Sequence, residues 1–417
     1  MDAHVVFDEY HEYINMSAFN LLFAELVECK KRQQVEDITI PNTLLVSATP
    51  HPIFVTELLG IPERDIEGIL SFNNSKYKIE FNEYDDKIED SSNPFFQEQP
   101  ANTIVISNMA ITAQKSFIDN QKNENSILLH SKFTSKDREE IFKNAFDSFK
   151  KNGNRNYDLL RSSPVIQASL NITCDKMISD MTHAENFLQR LGRLDRFGEN
   201  DKTNKYVIAI TEAVKKGKAK DSSSRFLNSL NSLGCSKAWF EYLQKELPEE
   251  EVTINQIYEL YDSFYKDPSS CQLVEQDLIS ALKNSYERLR DKLNDPITLR
   301  TSKNKEHKIK IKKQSLRGDN RFVQMAVCKV VDRNDRNIIN EYAYPETESE
   351  ESFSYGVEVI KGYGNSDKNL LSFMLKKHHN IKKTKKAYKD SQLLNEARDP
   401  DTPIYLSYTQ EDLKLVE

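Results

Sequence analysis

The chain has 417 residues, enough for two or three domains, and its 38% hydrophobic and 29% charged residues predict a core beneath a charged surface. The net charge of -7 excludes a uniformly basic nucleic-acid binder, so polyanion contacts must come from local patches. Five cysteines without close pairs argue against a disulfide framework and a cysteine-based zinc site. With no long apolar run and no signal peptide, we expect a cytoplasmic protein that does not contact membranes.

The first 82 residues show the β-α-β pattern expected for the C-terminal part of an α/β lobe. Short apolar runs at 3–7 and 44–48 are typical of buried parallel strands. Between them, a helix over 17–35 is predicted from the spacing of Phe19, Leu22, Phe23, Leu26 and Val27. A polar stretch at 83–102, rich in Asp, Asn, Ser and Pro, is predicted to link this lobe to the next.

A second α/β lobe is predicted over 103–215. Its strands are expected at 103–108, 126–131, 164–172 and 206–211, and its helices around Ala113 and Phe117, at 135–146 and at 183–197. Residues 216–300 have a mainly helical pattern. Residues 301–417 are predicted to form a C-terminal accessory domain, with strands at 321–332 and 340–344 and lysine-rich segments at 301–317 and 376–389.

The first candidate site is the sequence Asp-Glu-Tyr-His at 8–11, which directly follows the first apolar run. Asp8 can supply the carboxylate that Mg²⁺ needs beside nucleotide phosphates, directly or through water. Glu9 can polarise an attacking water, and His11 can relay the nucleotide state to a neighbouring lobe. Taken alone, the tetrapeptide is weak evidence, and a solvated acidic strand end is the favoured explanation.

The second candidate is Ser-Ala-Thr, where Ser47 and Thr49 follow the next predicted strand. Their hydroxyls can bond the acid and the histidine of the first site. Capping of a turn by Ser and Thr is the simpler explanation for this element alone. The order of the two elements along the chain favours a shared site.

The third candidate is the sequence QRLGRLDR, in which Arg193 and Arg196 lie three apart and are predicted to project from one helix face. Two guanidiniums at that spacing can clamp a triphosphate from across a cleft and stabilise transition-state charge. Gln189 and Arg190 lie one turn earlier. Gly192 weakens a helix, which favours a role in close approach. A basic, solvated surface helix is the alternative.

The order of these three sequences resembles motifs II, III and VI of superfamily-two DExH helicases. Residues 127–139 and 162–175 resemble stretches of the CRISPR-associated helicase–nuclease family of type I interference. In the first stretch the resemblance is carried by Leu129, His130, Phe133, Asp137 and Arg138. The resemblance covers about residues 1–215. It implies an α/β fold of tandem RecA-like lobes, the first incomplete, followed by a mainly helical or mixed C-terminal accessory region.

The same resemblance implies an ATP-dependent helicase that translocates on single-stranded DNA, with ATP and Mg²⁺ as cofactors. Its partner would be a CRISPR surveillance (Cascade-like) complex in defence against foreign DNA. The implied catalytic residues are Asp8, also the Mg²⁺ ligand, Glu9, His11, Arg193 and Arg196. The residues implied to bind ATP or couple it to movement are Ser47, Thr49, Gln189, Arg190 and Gly192. The implied nucleic-acid contacts are Ser107, His130, Ser163, Gln167, Ser169, Lys310 and Lys312.

The chain departs from the family pattern in two places. The fifth motif commonly carries a Glu and an Asp where this chain has Gln167 and Asn171, whose amides keep hydrogen-bonding capacity. No Gly-x-x-x-x-Gly-Lys-Ser/Thr phosphate loop occurs, only seven residues precede Asp8, and no histidine-aspartate nuclease motif is found. We therefore expect a truncated member that is inactive alone, with a separate chain as one source of the missing first-lobe half or nuclease domain.

Three alternatives stay open at this level. The lysine-rich segments are expected either to bind a single strand through its phosphates or to form solvated loops. Another superfamily-two RNA or DNA helicase would share the motif order, although the match at 127–139 argues against it. A non-catalytic nucleic-acid-binding remnant of a broken helicase gene would explain the missing phosphate loop.

Overall fold

A computed structural model describes residues 4–16, 18–32, 43–120, 125–130, 135–166, 170–293, 322–325 and 357–360. The fold is α/β with a parallel-rich sheet. The chain divides into two compact units. One comprises Met1–Leu128 and Ala145–Arg317, and the other comprises Leu129–Asn144 and Gly318–Glu417. All contacts of the candidate site described below lie within the first of them.

The first α/β element is a pair of parallel strands, β1 (Val5–Asp8) and β2 (Thr43–Val46), with Asp8 opposite Val46. Helix α1 (Phe19–Arg32) packs on one face of this pair, where the Phe7 and Phe23 rings meet edge to face at 5.0 Å. The predicted β-α-β pattern is confirmed here. Because the strands are parallel and in register, the segments that follow Asp8 and Val46 leave the same edge of the sheet.

The second element is a seven-stranded sheet with the order β5-β6-β4-β7-β8-β3-β9. Its strands are β3 (Lys76–Tyr84), β4 (Thr103–Ile106), β5 (Ser126–Leu129), β6 (Leu159–Ser162), β7 (Lys176–Asp180), β8 (Asn204–Thr211) and β9 (Val252–Thr253). The helices between them are α2 (Ala110–Asn120), α3 (Ser135–Phe149) and α4 (Ala184–Leu191). β4 pairs in parallel with β6 and β7, so the carboxyl ends of these central strands lie side by side.

A helical region follows β8, as predicted for 216–300, and is described as far as Leu293. It comprises α5 (Glu212–Lys215), α6 (Ser222–Ser229), α7 (Leu233–Glu246), α8 (Ile254–Phe264) and α9 (Pro268–Leu293). Trp239 of α7 is fully buried and meets the ring of Phe264 at 5.0 Å, so it belongs to the helical core. Across the described ranges, no helix is both long and apolar enough to cross a membrane.

The described part of the second unit beyond α3 is a short antiparallel pair, β10 (Phe322–Met325) and β11 (Val357–Ile360). The strand predicted at 321–332 is thereby confirmed over its described residues. The strand predicted at 340–344 and both lysine-rich segments lie outside the described residues.

The stretch predicted as a linker, 83–102, is partly core. β3 runs through the predicted boundary at residue 82 and pairs in parallel with β8, so it belongs to the seven-stranded sheet. Phe95 and Phe96 are buried against that sheet, and the carbonyl of Phe95 accepts a hydrogen bond from the buried Arg161 guanidinium at 2.5 Å. Because the stretch is mainly polar in composition, its sequence did not indicate that these two phenylalanines are buried.

The strand predicted at 164–172 is wrong. The sheet instead uses β6 and β7 on either side of this stretch, and Pro164–Ile166 form a short 3-10 helix. Ile166 and Ile172 are nevertheless fully buried, which explains the strand-like apolar pattern. Pro164 cannot donate a ladder hydrogen bond, so the run cannot continue β6 as a central strand.

The helix predicted at 183–197 ends six residues earlier, at Leu191. Beyond it, the Cys174 amide donates to the Arg193 carbonyl at 3.0 Å, and the Asp195 amide donates to the Cys174 carbonyl at 2.8 Å. This pairing pulls the chain out of the helix, and Asp195 turns it with a φ of 44°. Arg193 and Arg196 therefore lie in the turn after α4 and not on one helix face.

Gly192 gives a testable consequence of this geometry. It caps α4 with φ -63° and ψ 0°, and an added Cβ would lie 3.4 Å from the nearest carbonyl, an ordinary contact. Gly192→Ala is expected to change the free energy of unfolding by less than about 1 kcal/mol. Gly198, at φ 65° and with its Cβ position 3.1 Å from Asn73, is the contrast: Gly198→Ala should cost about 1–2 kcal/mol. Urea denaturation measures the loss of stability for each of the two variants. Equal losses would contradict the difference in backbone conformation between Gly192 and Gly198.

Candidate functional site

The site begins where β1 ends. Asp8 is exposed at the last position of the strand, and Glu9 follows with φ 50° and ψ 39°, in the left-handed region. This conformation is uncommon for Glu and is concentrated at functional sites in proteins. It starts a 3-10 turn, Tyr10–Tyr13, that leaves the Glu9 side chain half exposed while it buries His11.

His11 links the first two candidate motifs. Its Nδ1 lies 2.7 Å from the Ser47 hydroxyl, which also accepts the amide of Thr49 at 3.0 Å. Burial lowers the pKa of His11 to about 4, against the opposing charge of Glu185. The ring is therefore neutral near pH 7, and the Glu9 carboxylate 3.3 Å from Nδ1 does not form an ion pair with it.

The second and third motifs are joined by Thr49. This residue is fully buried, and the Gln189 side-chain amide of α4 donates to its hydroxyl at 3.3 Å. Side-chain hydrogen bonds thus join His11 to Ser47 and Thr49 to Gln189. The structure brings the three predicted motifs to one place although up to 140 residues separate these bonded partners.

Arg193 and Arg196 lie within electrostatic reach of Glu9. Burial lowers the pKa of Arg193 to about 10, with the Arg196 charge acting in the same direction and Glu9 opposing it. Burial also lowers the pKa of Arg196, again against the charge of Glu9. The pKa of Glu9 is raised by burial and by Asp8 and Glu12, while both arginines lower it. Two guanidiniums kept close together next to a carboxylate suit an anionic ligand.

Arg190 was predicted to bind or couple ATP, but its guanidinium is fully buried inside the second lobe. It donates to the Ser179 hydroxyl at 2.7 Å, to the Asp180 carbonyl at 2.8 Å and to the Asn108 side chain at 3.0 Å. These partners sit at the ends of β4 and β7. Arg190 therefore braces the strand ends beside the site, and its role in binding or coupling ATP stays a prediction.

Ser107, whose contact with nucleic acid stays a prediction, supports the buried carboxylate of Asp180. Its buried hydroxyl donates to the Asp180 carboxylate at 3.1 Å, which also accepts the Tyr84 hydroxyl and the Asn108 amide, both at 2.6 Å. Burial raises the pKa of Asp180 to about 6, although these hydrogen bonds oppose the shift. A buried carboxylate needs such partners, and Ser107 is one of them.

The other predicted nucleic-acid contacts divide into two groups. The side chains of Ser163 and His130 are buried and are not exposed at the surface where a nucleic-acid strand would bind. The remaining four lie outside the described residues: Gln167, Ser169, Lys310 and Lys312.

Three acidic residues with structural consequences were missed in the sequence: Asp180, Glu185 and Asp195. Asp195 is buried, accepts the Glu199 amide at 2.9 Å and the Asn204 side chain at 3.3 Å, and also bonds Ser75. Of the three, only Asp180 follows an apolar run, so the sequence carried a signal for that residue alone. A buried charge requires a built set of donors, and these donors are brought together only by folding.

The described residues include no group of three or more His, Cys, Asp or Glu side chains placed to hold a metal. Mg²⁺ in nucleotide sites is commonly held by one or two carboxylates together with the phosphates. An exposed Asp8 at the end of a parallel strand fits that donor set.

The titration of His11 provides a test of its burial. Its pKa is ordinarily 6.5 and falls to about 4 in the folded chain, so between these values the unfolded chain binds a proton that the folded chain does not. Stability is therefore lost as the pH falls through this window. His11→Asn should reduce the loss between pH 7.5 and pH 5 by about 2 kcal/mol. Urea unfolding at both pH values measures it, with the exposed His4→Asn as the control. An unchanged pH dependence would show that the ring is solvated.

The parallel-rich α/β sheet gathers the three predicted motifs at strand ends. Residues 99–199 match the family model of the C-terminal part of the CRISPR-associated nuclease/helicase Cas3. The chain is also 26% identical over 214 residues to a putative CRISPR-associated nuclease/helicase Cas3 of Methanocaldococcus jannaschii. That alignment covers 48% of this chain and 28% of the relative.

Solved structures show the same fold. T. fusca Cas3 superposes with a TM-score of 0.59 at 17% identity, covering 86% of this chain and 48% of that one. A T. fusca Cas3–ATP structure gives 0.58 at 16% identity, covering 86% and 47%. Both likenesses are below 25% identity and concern the fold alone. The chain spans about a quarter of the curated relative and about half of the solved chains.

Proposed function

We propose that this chain carries the ATP-hydrolysing, strand-translocating part of a Cas3-type helicase in type I CRISPR interference. The observation that carries the proposal is the meeting of three motifs at one place. His11 bonds Ser47, Gln189 bonds Thr49, and both guanidiniums of the third motif act on the charge of Glu9. A solvated acidic strand end or a plain basic helix would require none of these contacts.

The roles of the residues follow from this arrangement. Glu9 orients and polarises the water that attacks the γ-phosphate, and the phosphate–oxygen bond to ADP breaks as the new one forms. Arg193 and Arg196 receive the negative charge that develops on the transferred group. Asp8 would hold Mg²⁺, which neutralises charge on the β- and γ-phosphates when bound. The similarity to a Cas3–ATP structure supports ATP as the nucleotide.

Coupling to movement is assigned to the buried hydrogen bonds. The His11 ring is neutral, so it bonds Ser47 without carrying charge into the interior. A shift of the Glu9 segment on hydrolysis would therefore displace Ser47, and Thr49 would pass the displacement to Gln189 of α4. The substrate is single-stranded DNA and the partner a CRISPR surveillance complex, as expected for this family.

The absence of a phosphate-loop motif from these 417 residues leads to the first experiment. None of the 417 residues forms a Gly-x-x-x-x-Gly-Lys-Ser/Thr sequence, so we expect the chain alone to show no appreciable ATP turnover. Steady-state hydrolysis by the chain alone that is lost in Asp8→Ala would contradict this. The activity assays described below add a polypeptide that carries such a loop. The chain together with that polypeptide is called the reconstituted motor below.

The choice of nucleic acid is tested on the reconstituted motor. ATP turnover is measured with single-stranded DNA, with RNA of the same sequence and with neither. Stimulation by DNA is the expected result. Stimulation by RNA alone would replace the proposal with an RNA helicase of the same superfamily. No stimulation by either would favour a non-catalytic remnant.

A further inference from the structure

A buried carboxylate at the start of α4 is not used by the proposed mechanism. Glu185 lies in the first turn of that helix, almost fully buried. It is bonded by His183 Nδ1 at 2.8 Å and by the hydroxyls of Tyr261, at 2.9 Å, and Tyr265. Burial alone would raise the pKa of Glu185, but the hydrogen bond from His183 and the nearby histidines hold it below its usual range. The group is an ionised carboxylate with a complete set of donors.

Two of those donors come from the helical region. Tyr261 lies on α8 and Tyr265 is the C-terminal cap of that helix, one turn later, so the two side chains project from the same side. The Tyr261 hydroxyl also lies 2.6 Å from the carbonyl of Pro50, which directly follows Thr49. Its single proton therefore faces two acceptors, one on the segment after β2 and one on α4.

A ring contact adds to the hydrogen bond between Tyr261 and the Pro50 carbonyl. The ring of His51, the residue after Pro50, packs against Tyr265 with a centroid distance of 5.1 Å. The segment after β2 therefore touches α8 at two consecutive residues. Each of these two tyrosines contacts both that segment and Glu185.

α8 is held in place by a cap at its N-terminus and by packing of its C-terminal end against α7. Thr253 caps its first turn through Gln256, with a reciprocal bond of 2.8 Å from the Thr253 amide to the Gln256 side chain. Phe264 on the same helix packs against Trp239. A fixed helix with two buried hydroxyls can set the distance between the two segments it bonds, because neither hydroxyl can swing away into water.

We infer that Tyr261 and Tyr265 are positioning residues, which act through Glu185 and the Pro50 carbonyl to hold the segment after β2 in place against α4. The description of these segments as motor motifs rests on the proposed function, but the contacts do not. The helical region after β8 then belongs to the mechanical core of the motor and is more than an accessory domain.

Hydrogen–deuterium exchange on the full chain, without nucleotide or DNA, tests this inference. Tyr261→Phe and Tyr265→Phe remove only the hydroxyls. The matched control is Tyr286→Phe on α9, where the side chain is 59% exposed. Peptides covering 43–58 and 184–192 should exchange about fivefold to tenfold faster in the first two variants, the loss expected for a hydrogen bond to a charged or buried acceptor. Peptides of α7 and α9 should be unchanged.

The α7 and α9 peptides separate positioning from general stability. If their exchange rises as much as that of 43–58, or if 43–58 exchanges as in Tyr286→Phe, the inference is wrong. The imidazole NMR signals of His51 and His183 give a second readout, which should shift in Tyr265→Phe and not in the control. If Tyr265→Phe does not fold, Tyr261→Phe decides the outcome by the exchange pattern. Since no ATP or DNA is present, failure of the proposed helicase activity leaves this test intact.

Discussion

Glu9→Gln is expected to lower the DNA-stimulated ATP turnover of the reconstituted motor by about 10²–10⁴-fold, the range that a positioned general base contributes. The amide keeps the shape of the side chain and its place in the left-handed turn after β1. It cannot accept a proton from water. ATP binding should stay within a few-fold of wild type, because the triphosphate is assigned to Arg193, Arg196 and Mg²⁺.

The control for this prediction is Glu12→Gln. Glu12 is an acid of the same turn, 3.9 Å from His11 Nε2, and has no assigned part in hydrolysis. Turnover and nucleotide affinity are measured for both variants by steady-state kinetics and by titration. Equal effects of the two changes would mean that Glu9 contributes only negative charge. An unaffected Glu9→Gln enzyme would remove Glu9 from the mechanism.

Arg190→Met is expected to cost about 3–5 kcal/mol of folding free energy, the usual result of removing one partner from a buried charged network. The guanidinium bonds Ser179, the Asp180 carbonyl and Asn108 at the ends of two central strands. Met fills part of the volume but leaves these acceptors unsatisfied. The loss should therefore exceed that of an ordinary core substitution of similar size.

Chemical denaturation measures this loss, and the exposed Arg225→Met provides the control, with an expected change within about 0.5 kcal/mol. A loss of less than about 1 kcal/mol for Arg190→Met would show that water replaces the guanidinium. In that case the hydrogen bonds of Arg190 contribute little to stability, and its predicted role in binding or coupling ATP would be the better explanation of the residue.

The sequence predicted well those elements that follow from local pattern. β1, α1 and β2 follow from apolar spacing. The meeting of the motifs at one edge also follows, because parallel strands present their carboxyl ends together.

The failures have long-range causes. α4 stops at Leu191 because the Cys174 backbone pairs with the chain after it, and that pairing partner is 17 residues away from the helix end. The hydrogen bonds of Ser107 and Arg190 to their shared partner, Asp180, are identifiable only in the folded sheet. Glu185 and its two tyrosines are separated by more than 70 residues, so no local pattern marks them as a group.

The central claim is that Glu9 of the first motif and the arginines of the third form one ATP site. The most direct test compares ATP turnover of the reconstituted motor carrying Glu9→Gln, the pair Arg193→Ala and Arg196→Ala, or all three changes. Each of the first two should lose at least about 100-fold, and the triple variant should stay within about tenfold of the worse one, because residues that act as a unit are not additive. Arginine variants with wild-type turnover, or losses that multiply in full, would contradict a single composite site.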